Sequence, residues 1–189
     1  MRLRVGVRPS DLSIEKKVRR FRGSYRTVWG NGLIQDIDSE MRKQGLDALM
    51  AIGSSTGLDA RSTDLFYLAG THLPRGGVYV MAQGREAILV VSNLDVGNAK
   101  KGRVRDIRAY DDYGFLRLIK RHGREKASVM LYDKILKRER IRGRVAILGQ
   151  GDLSRAIGLV DRLRSLGHMV QGQQPPTLLD EIRATKDER

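Results

Sequence analysis

The chain has 189 residues, 40% hydrophobic and 31% charged, which is enough for one well-buried core and too apolar for a disordered tail. It has no cysteine, which excludes disulfides, thiolate metal sites and a cysteine nucleophile, and no apolar run approaches the roughly 18 residues of a membrane helix, so a cytoplasmic protein with no membrane association is expected. The formal charge of +14 sits in two blocks, residues 1–30 with nine basic and two acidic side chains and residues 100–144 with sixteen and six, which admits nucleic acid, an anionic surface or an acidic partner.

Residues 1–7 lack the apolar stretch of a secretory signal. After Pro9, the positions Ile14, Val18, Phe21, Tyr25 and Val28 step by four and three, which predicts a basic amphipathic helix that Asp11 can cap. Asp11 and Glu15 weigh against an organellar transit peptide. Gly30-Asn31-Gly32 breaks the pattern and makes residues 1–32 a basic N-terminal extension.

Leu33, Ile34, Ile37 and Met41 predict a second helix closed by Gly45, then a buried strand over Leu46–Ile52 and a loop at Gly53-Ser54-Ser55. Gly77–Ala82 and Glu86–Ser92 read as a hairpin around Gln83-Gly84-Arg85, and Val104–Tyr110 as an edge strand. Helices follow over 115–121 and 125–138, and a strand over Arg144–Leu148. Ile157, Val160, Leu163 and Leu166 predict a third amphipathic helix stopped by Gly167, with His168–Gln171 extended after it. Pro175-Pro176 closes the domain, and Thr177–Arg189 reads as a charged linker rather than a packed element. The expected fold class is α/β, a three-layer domain over residues 33–174 with a mixed β-sheet flanked by helices, followed by a linker at 175–189.

Few residues form a constellation with chemical meaning. Gly149–Ser154 follows a strand and opens a helix, but its third glycine is Ser154 and no acid lies near Met169–Gln171 to bind a ribose, so a tight turn capped by Asp152 or Ser154 is the better reading. His122 and His168 read as surface or capping residues, and no histidine has metal-ligand company. No serine has the Gly-x-Ser-x-Gly frame, and Asp111 and Asp112 point to opposite sides if extended. Phe21, Tyr25 and Trp29 among arginines offer stacking to RNA, yet they lie on the apolar stripe, where packing is the simpler role. His72 stands apart, in a turn-rich loop before the hairpin that also holds Tyr67 and Arg75.

From Leu33 to Arg189 the chain resembles the N-terminal domain of the creatinase, prolidase and aminopeptidase P family of metallopeptidases. The resemblance is carried by Met41–Leu49 with its Gly45-Leu46-Asp47-Ala48-Leu49 turn, by Phe66–Gly70, by the hairpin with Arg85–Val91, and by Leu179–Glu188, which is similar to the stretch leading into the family's catalytic domain. The resemblance implies a mixed sheet flanked by helices, and a pita-bread catalytic domain, absent from this chain, that holds two metals (Mn, Co or Zn) on two Asp, one His and two Glu. None of those ligands maps onto this sequence, so no catalytic, cofactor-binding or metal-binding residue is assigned. The implied role is that of a non-catalytic domain of an Xaa-Pro peptidase that forms homo-oligomers such as dimers and limits access of proline-containing peptides, with Tyr67, His72 and Arg75 as the access loop. The alternative is a stand-alone basic scaffold or nucleic-acid-binding module on the same fold.

Overall fold

The computed structural model describes residues 32–53, 62–149 and 153–187. The chain divides into two units, with the boundary between Leu33 and Ile34. The helix expected over Ile14–Val28 lies outside the described residues, as does the loop at Ser54-Ser55.

Helix α1 (32–43) buries Ile37 and Met41, as the spacing predicts. It ends where Gly45 turns to φ 61°, with the Gly45 N–H donating to Arg42 O and the Leu46 N–H to Met41 O at 2.8 Å, the paired bonds that close a helix on a left-handed glycine. Strand β1 (Ala48–Gly53) follows at once. Its register with β5 (Arg144–Gly149) is fixed at the entrance: the Asp47 N–H donates to Arg144 O (2.8 Å), and the Arg144 N–H donates to the Asp47 carboxylate (2.7 Å).

The other strands are β2 (Gly77–Ala82), β3 (Ile88–Val91), β4 (Asp106–Ala109) and β6 (Met169–Gly172). Their order in the sheet is β4-β3-β2-β1-β5-β6. β2 is antiparallel to both β1 and β3, and every other pair is parallel, so five strands run one way and β2 alone runs back. This is the expected mixed sheet, and it carries both the expected hairpin and the expected edge strand.

Helices α2 (Thr63–Ala69), α3 (Val96–Ala99), α4 (Phe115–His122), α5 (Arg124–Arg138), α6 (Leu153–Ser165) and α7 (Leu178–Asp187) complete the fold. Alternation along the strands sends Met50, Val80, Val90 and Val145 to one face, where they pack with Leu131 and Ile135 of α5 and Leu163 of α6. The intervening Leu49, Tyr79, Leu89 and Ala146 are equally buried, and α2 packs against β1, β2 and β5. Both faces are covered, which makes three layers. Among the described residues no helix is long and apolar enough to cross a membrane.

Three expectations change. In α6 the core-facing residues are Leu159, Val160 and Leu163, while Ile157 and Leu166 are exposed at 54% and 44%. Leu166 lies past the end of the helix. Thr177–Arg189 is not a bare linker: Leu178, Leu179 and Ile182 of α7 are buried. Its first turn is closed by a reciprocal cap, in which the Thr177 N–H and hydroxyl donate to the Asp180 carboxylate while the Asp180 N–H donates to Thr177 Oγ1. His168 is more than a surface or capping residue, since its Nε2 lies 2.8 Å from Asp133 Oδ1 of α5 and its side chain is largely buried. On the same margin of the sheet, Arg164 Nε donates to Val170 O of the edge strand β6 (2.9 Å).

Candidate functional site

Because β2 runs against β1, its first residue, Gly77, pairs with the last residue of β1, Gly53. The segment that leads into β2 therefore lies beside the carboxyl end of β1, the end of an α/β sheet at which ligand crevices form. Helix α2 reaches the same place. Ser62 caps it by accepting a hydrogen bond from the Leu65 N–H (3.2 Å), and Asp64 sits in its first turn, where a negative charge suits the helix dipole.

The helix stops at Gly70, whose φ of 69° favours glycine; a side chain there would also meet the Arg103 guanidinium stem. Gly102 allows an equally close approach, since a methyl group on it would collide with the carbonyl oxygen of Ala69 and crowd Thr71. The Arg103 N–H donates to that same Ala69 oxygen (2.8 Å), so the end of α2 is tied to the chain after α3.

Residues 71–76 then hang between α2 and β2 on further anchors. Thr71 Oγ1 donates to Asn98 O (3.2 Å), and the Gly76 N–H closes a turn onto Leu73 O (2.9 Å). Asp95, wholly buried at the end of a single 3₁₀ turn (Asn93–Asp95), accepts the Arg75 N–H at 3.0 Å and lies 3.4 Å from the Arg75 guanidinium. A segment held by this many bonds, one of them to a buried charge, is a fixed rim rather than a loose loop.

The rim borders a cavity of about 470 Å³, lined among the described residues by Gly53, Ser62, Leu65, Phe66, His72 and Leu73 with their neighbours. Phe66 is 54% exposed, and His72 is exposed beside it. The lining is mostly apolar with a few hydroxyls and one imidazole, the make-up of a surface that accepts an apolar group and fixes its orientation with few polar contacts.

The three residues expected to act together lie close in the chain but face three ways. His72 lines the cavity. Arg75 turns to Asp95. Tyr67 is in helix α2 rather than in a loop, and its ring lies under the Arg183 guanidinium of α7 at 4.7 Å, with Arg183 also paired to Asp64 (2.9 Å). Sequence reasoning missed Phe66, Ser62 and Asp95. The signal for the first two was present: Ser62 ahead of Leu65 and Leu68 at helical spacing, with Gly70 as a stop, marks a short helix whose stripe leaves Phe66 outside. Asp95 left no local signal, because its partner is twenty residues away. The glycine turn at 150–152 lies outside the described residues. Among the described residues no group of three or more His, Asp or Glu side chains converges to hold a metal ion, so no donor set fits one here.

The family model for the creatinase/prolidase N-terminal domain matches residues 34–166. The fold is similar to that of an Xaa-Pro aminopeptidase from Streptococcus thermophilus (TM-score 0.54, 14% identity, 82% of this chain and 98% of that one). It is similar to another from Streptococcus pyogenes (TM-score 0.51, 14% identity, 76% and 91%) and to an X-Pro aminopeptidase from Thermotoga maritima MSB8 (TM-score 0.51, 14% identity, 83% and 35%), so it spans about a third of the last. No curated protein matches the sequence. The family match over most of the chain and the mixed six-stranded sheet agree, and the chain belongs to the creatinase/prolidase N-terminal domain family.

Proposed function

We propose that this chain is the non-catalytic N-terminal domain of an Xaa-Pro peptidase, or a stand-alone descendant of one, that mediates contacts between subunits and limits which peptides reach an active site. The observation that carries the reading is the match of residues 34–166 to the creatinase/prolidase N-terminal domain. Likeness in fold to chains named as Xaa-Pro aminopeptidases, two of which it spans at 91% and 98%, supports it.

The rim at residues 71–76 suits the second half of that role. A rim fixed by Asp95 and Asn98 keeps its shape when a peptide arrives, so it excludes by size rather than by moving aside. His72 stands at its cavity side, and the Arg75 guanidinium, half exposed and held by Asp95, is a donor for a peptide carboxylate. Any metal, and the groups that break the peptide bond, belong in this reading to a catalytic domain.

The test joins the chain ahead of an Xaa-Pro peptidase catalytic domain and measures kcat/KM for proline-containing peptides of increasing length. His72→Ala and Arg75→Ala are each expected to raise the relative kcat/KM of the longer peptides severalfold, and an unchanged length preference in both variants rejects the access role. Sedimentation of the unmodified chain is expected to show a dimer, so a monomer at high concentration rejects the contact role. Offered Mn²⁺ and Xaa-Pro peptides by itself, the chain is expected to leave them intact.

A further inference from the structure

The second basic block becomes a surface in three dimensions. From Phe115 to Arg144, eleven basic side chains face three acidic ones. Arg117, Lys120 and Arg121 are all exposed on α4 at spacings of three and four, so they share one face of the helix, and exposed Arg124 and Lys126 follow where α5 begins beyond Gly123. None of these five has an ion pair among the described residues, and no acid occurs between Asp112 and Glu125. Glu125 itself pairs with Arg162 of α6 (3.4 Å).

Several cations of the fold are met by acids, as Arg42 is by Asp38, Lys43 by Glu40, Lys137 by Asp133 and Arg183 by Asp64. The five on the α4–α5 face stand close together with no acid left free among them to do the same. Lys120 and Arg121 suit the carboxyl end of α4, but Arg124 and Lys126 stand in the first turn of α5, where the helix dipole disfavours positive charge. Helix stability explains only half of the cluster. The rest is mutual repulsion that a bound polyanion would relieve.

We infer that this face binds the phosphate backbone of a nucleic acid without reading its sequence. Guanidinium groups, three of the five cations, match phosphate oxygens in a two-pronged geometry, and no exposed aromatic ring on α4 or α5 is available to select bases by stacking. An anionic membrane is disfavoured because a surface-seeking helix needs an apolar stripe beside its charge, and Leu116 is the one large apolar residue strongly exposed on these helices. The inference is independent of the peptidase reading.

The test uses the full chain with a fluorescein-labelled single-stranded RNA of mixed sequence in a salt series, phosphatidylserine vesicles and polyglutamate being the comparison probes. The triple variant Lys120→Glu, Arg121→Glu, Arg124→Glu is expected to bind the RNA at least about tenfold more weakly at low salt. Its plot of log affinity against log salt should be shallower by about two, since each phosphate of a single strand that goes un-neutralised takes away about 0.7 of slope. The corresponding Gln variant removes charge without reversing it and should fall between the two, which guards against a folding defect in the first. Residues 1–30 add their own positive charge, so the difference between wild type and variants is decisive rather than the bare affinity. Wild-type affinity in both variants overturns the inference, as does failure of the wild type to bind RNA at low salt. Binding to vesicles in place of RNA, or equal binding to polyglutamate, overturns it as well.

Discussion

A carboxylate withdrawn from water is tolerated only where donors meet its charge, and Asp95 has two from Arg75, the main-chain N–H and the guanidinium. Asp95→Ala strands the Arg75 N–H and is expected to lower stability by about 2 kcal/mol, read as a shift in the urea midpoint at unchanged slope. Asp95→Asn keeps an acceptor and should lose less; equal losses would show that a neutral acceptor contributes nothing and that the carboxylate charge carries the pairing with Arg75. Asp133 offers a second residue-level case. Its partial burial acts to raise its pKa, but hydrogen bonds and charge from Lys137 and His168 outweigh that and hold the carboxyl below its usual value. A carboxyl that is more acidic folded than unfolded contributes stability above its unfolded pKa, about 3.9, and loses it as pH falls through the lower folded value. Acid unfolding followed by circular dichroism should therefore show less loss of stability below pH 4 in Asp133→Asn than in the wild type, with the variant already weaker at neutral pH.

At the scale of elements, the periodic segments could be read in advance and the compact ones could not. Six-residue β1 and β2 announce themselves as runs of Val, Ile, Leu, Met and Ala between turn residues, and α5 as a long amphipathic pattern. Helix α3, four residues long, carries too little pattern to register. Helix α7 was hidden for another reason: its apolar residues Leu178, Leu179 and Ile182 are few and surrounded by charge, so composition suggested a solvated linker. The usable signal was the cap, a threonine three residues before an acid. Asp180→Ala removes that cap and should cost about 1 kcal/mol, seen as faster amide exchange confined to residues 178–187. Exchange unchanged in α7 would mean that packing alone sets its stability. The site shows the same division, because the rim's position on the chain was legible while its anchor to Asp95 was not; long-range pairing leaves no trace in local spacing.

For the whole molecule, a net charge of +14 on 189 residues sets a background of self-repulsion that dissolved ions reduce. Raising NaCl from low to moderate concentration is expected to stabilise the chain by about 1 kcal/mol, or about 3 °C in Tm, with chloride and a weakly binding anion acting alike. A fall in Tm over that range would mean that the surface ion pairs such as Arg42–Asp38 outweigh the repulsion. That balance could not be read from the charge count, since it depends on which cations find partners after folding.

The hydrogen bond from Arg164 to Val170 has a consequence for how molecules meet in concentrated solution. β6 ends the sheet, and a terminal strand with unused amides and carbonyls invites a neighbouring chain to lengthen the sheet, here with Met169 60% exposed to glue the two together. By engaging a carbonyl of that strand, Arg164 sets a bulky cation beside the last strand of the sheet, where charge disfavours edge-to-edge pairing. Arg164→Ala should leave the monomer's fold intact yet raise light scattering on storage. That outcome would trace part of the chain's resistance to clumping to one side chain at the border of its sheet.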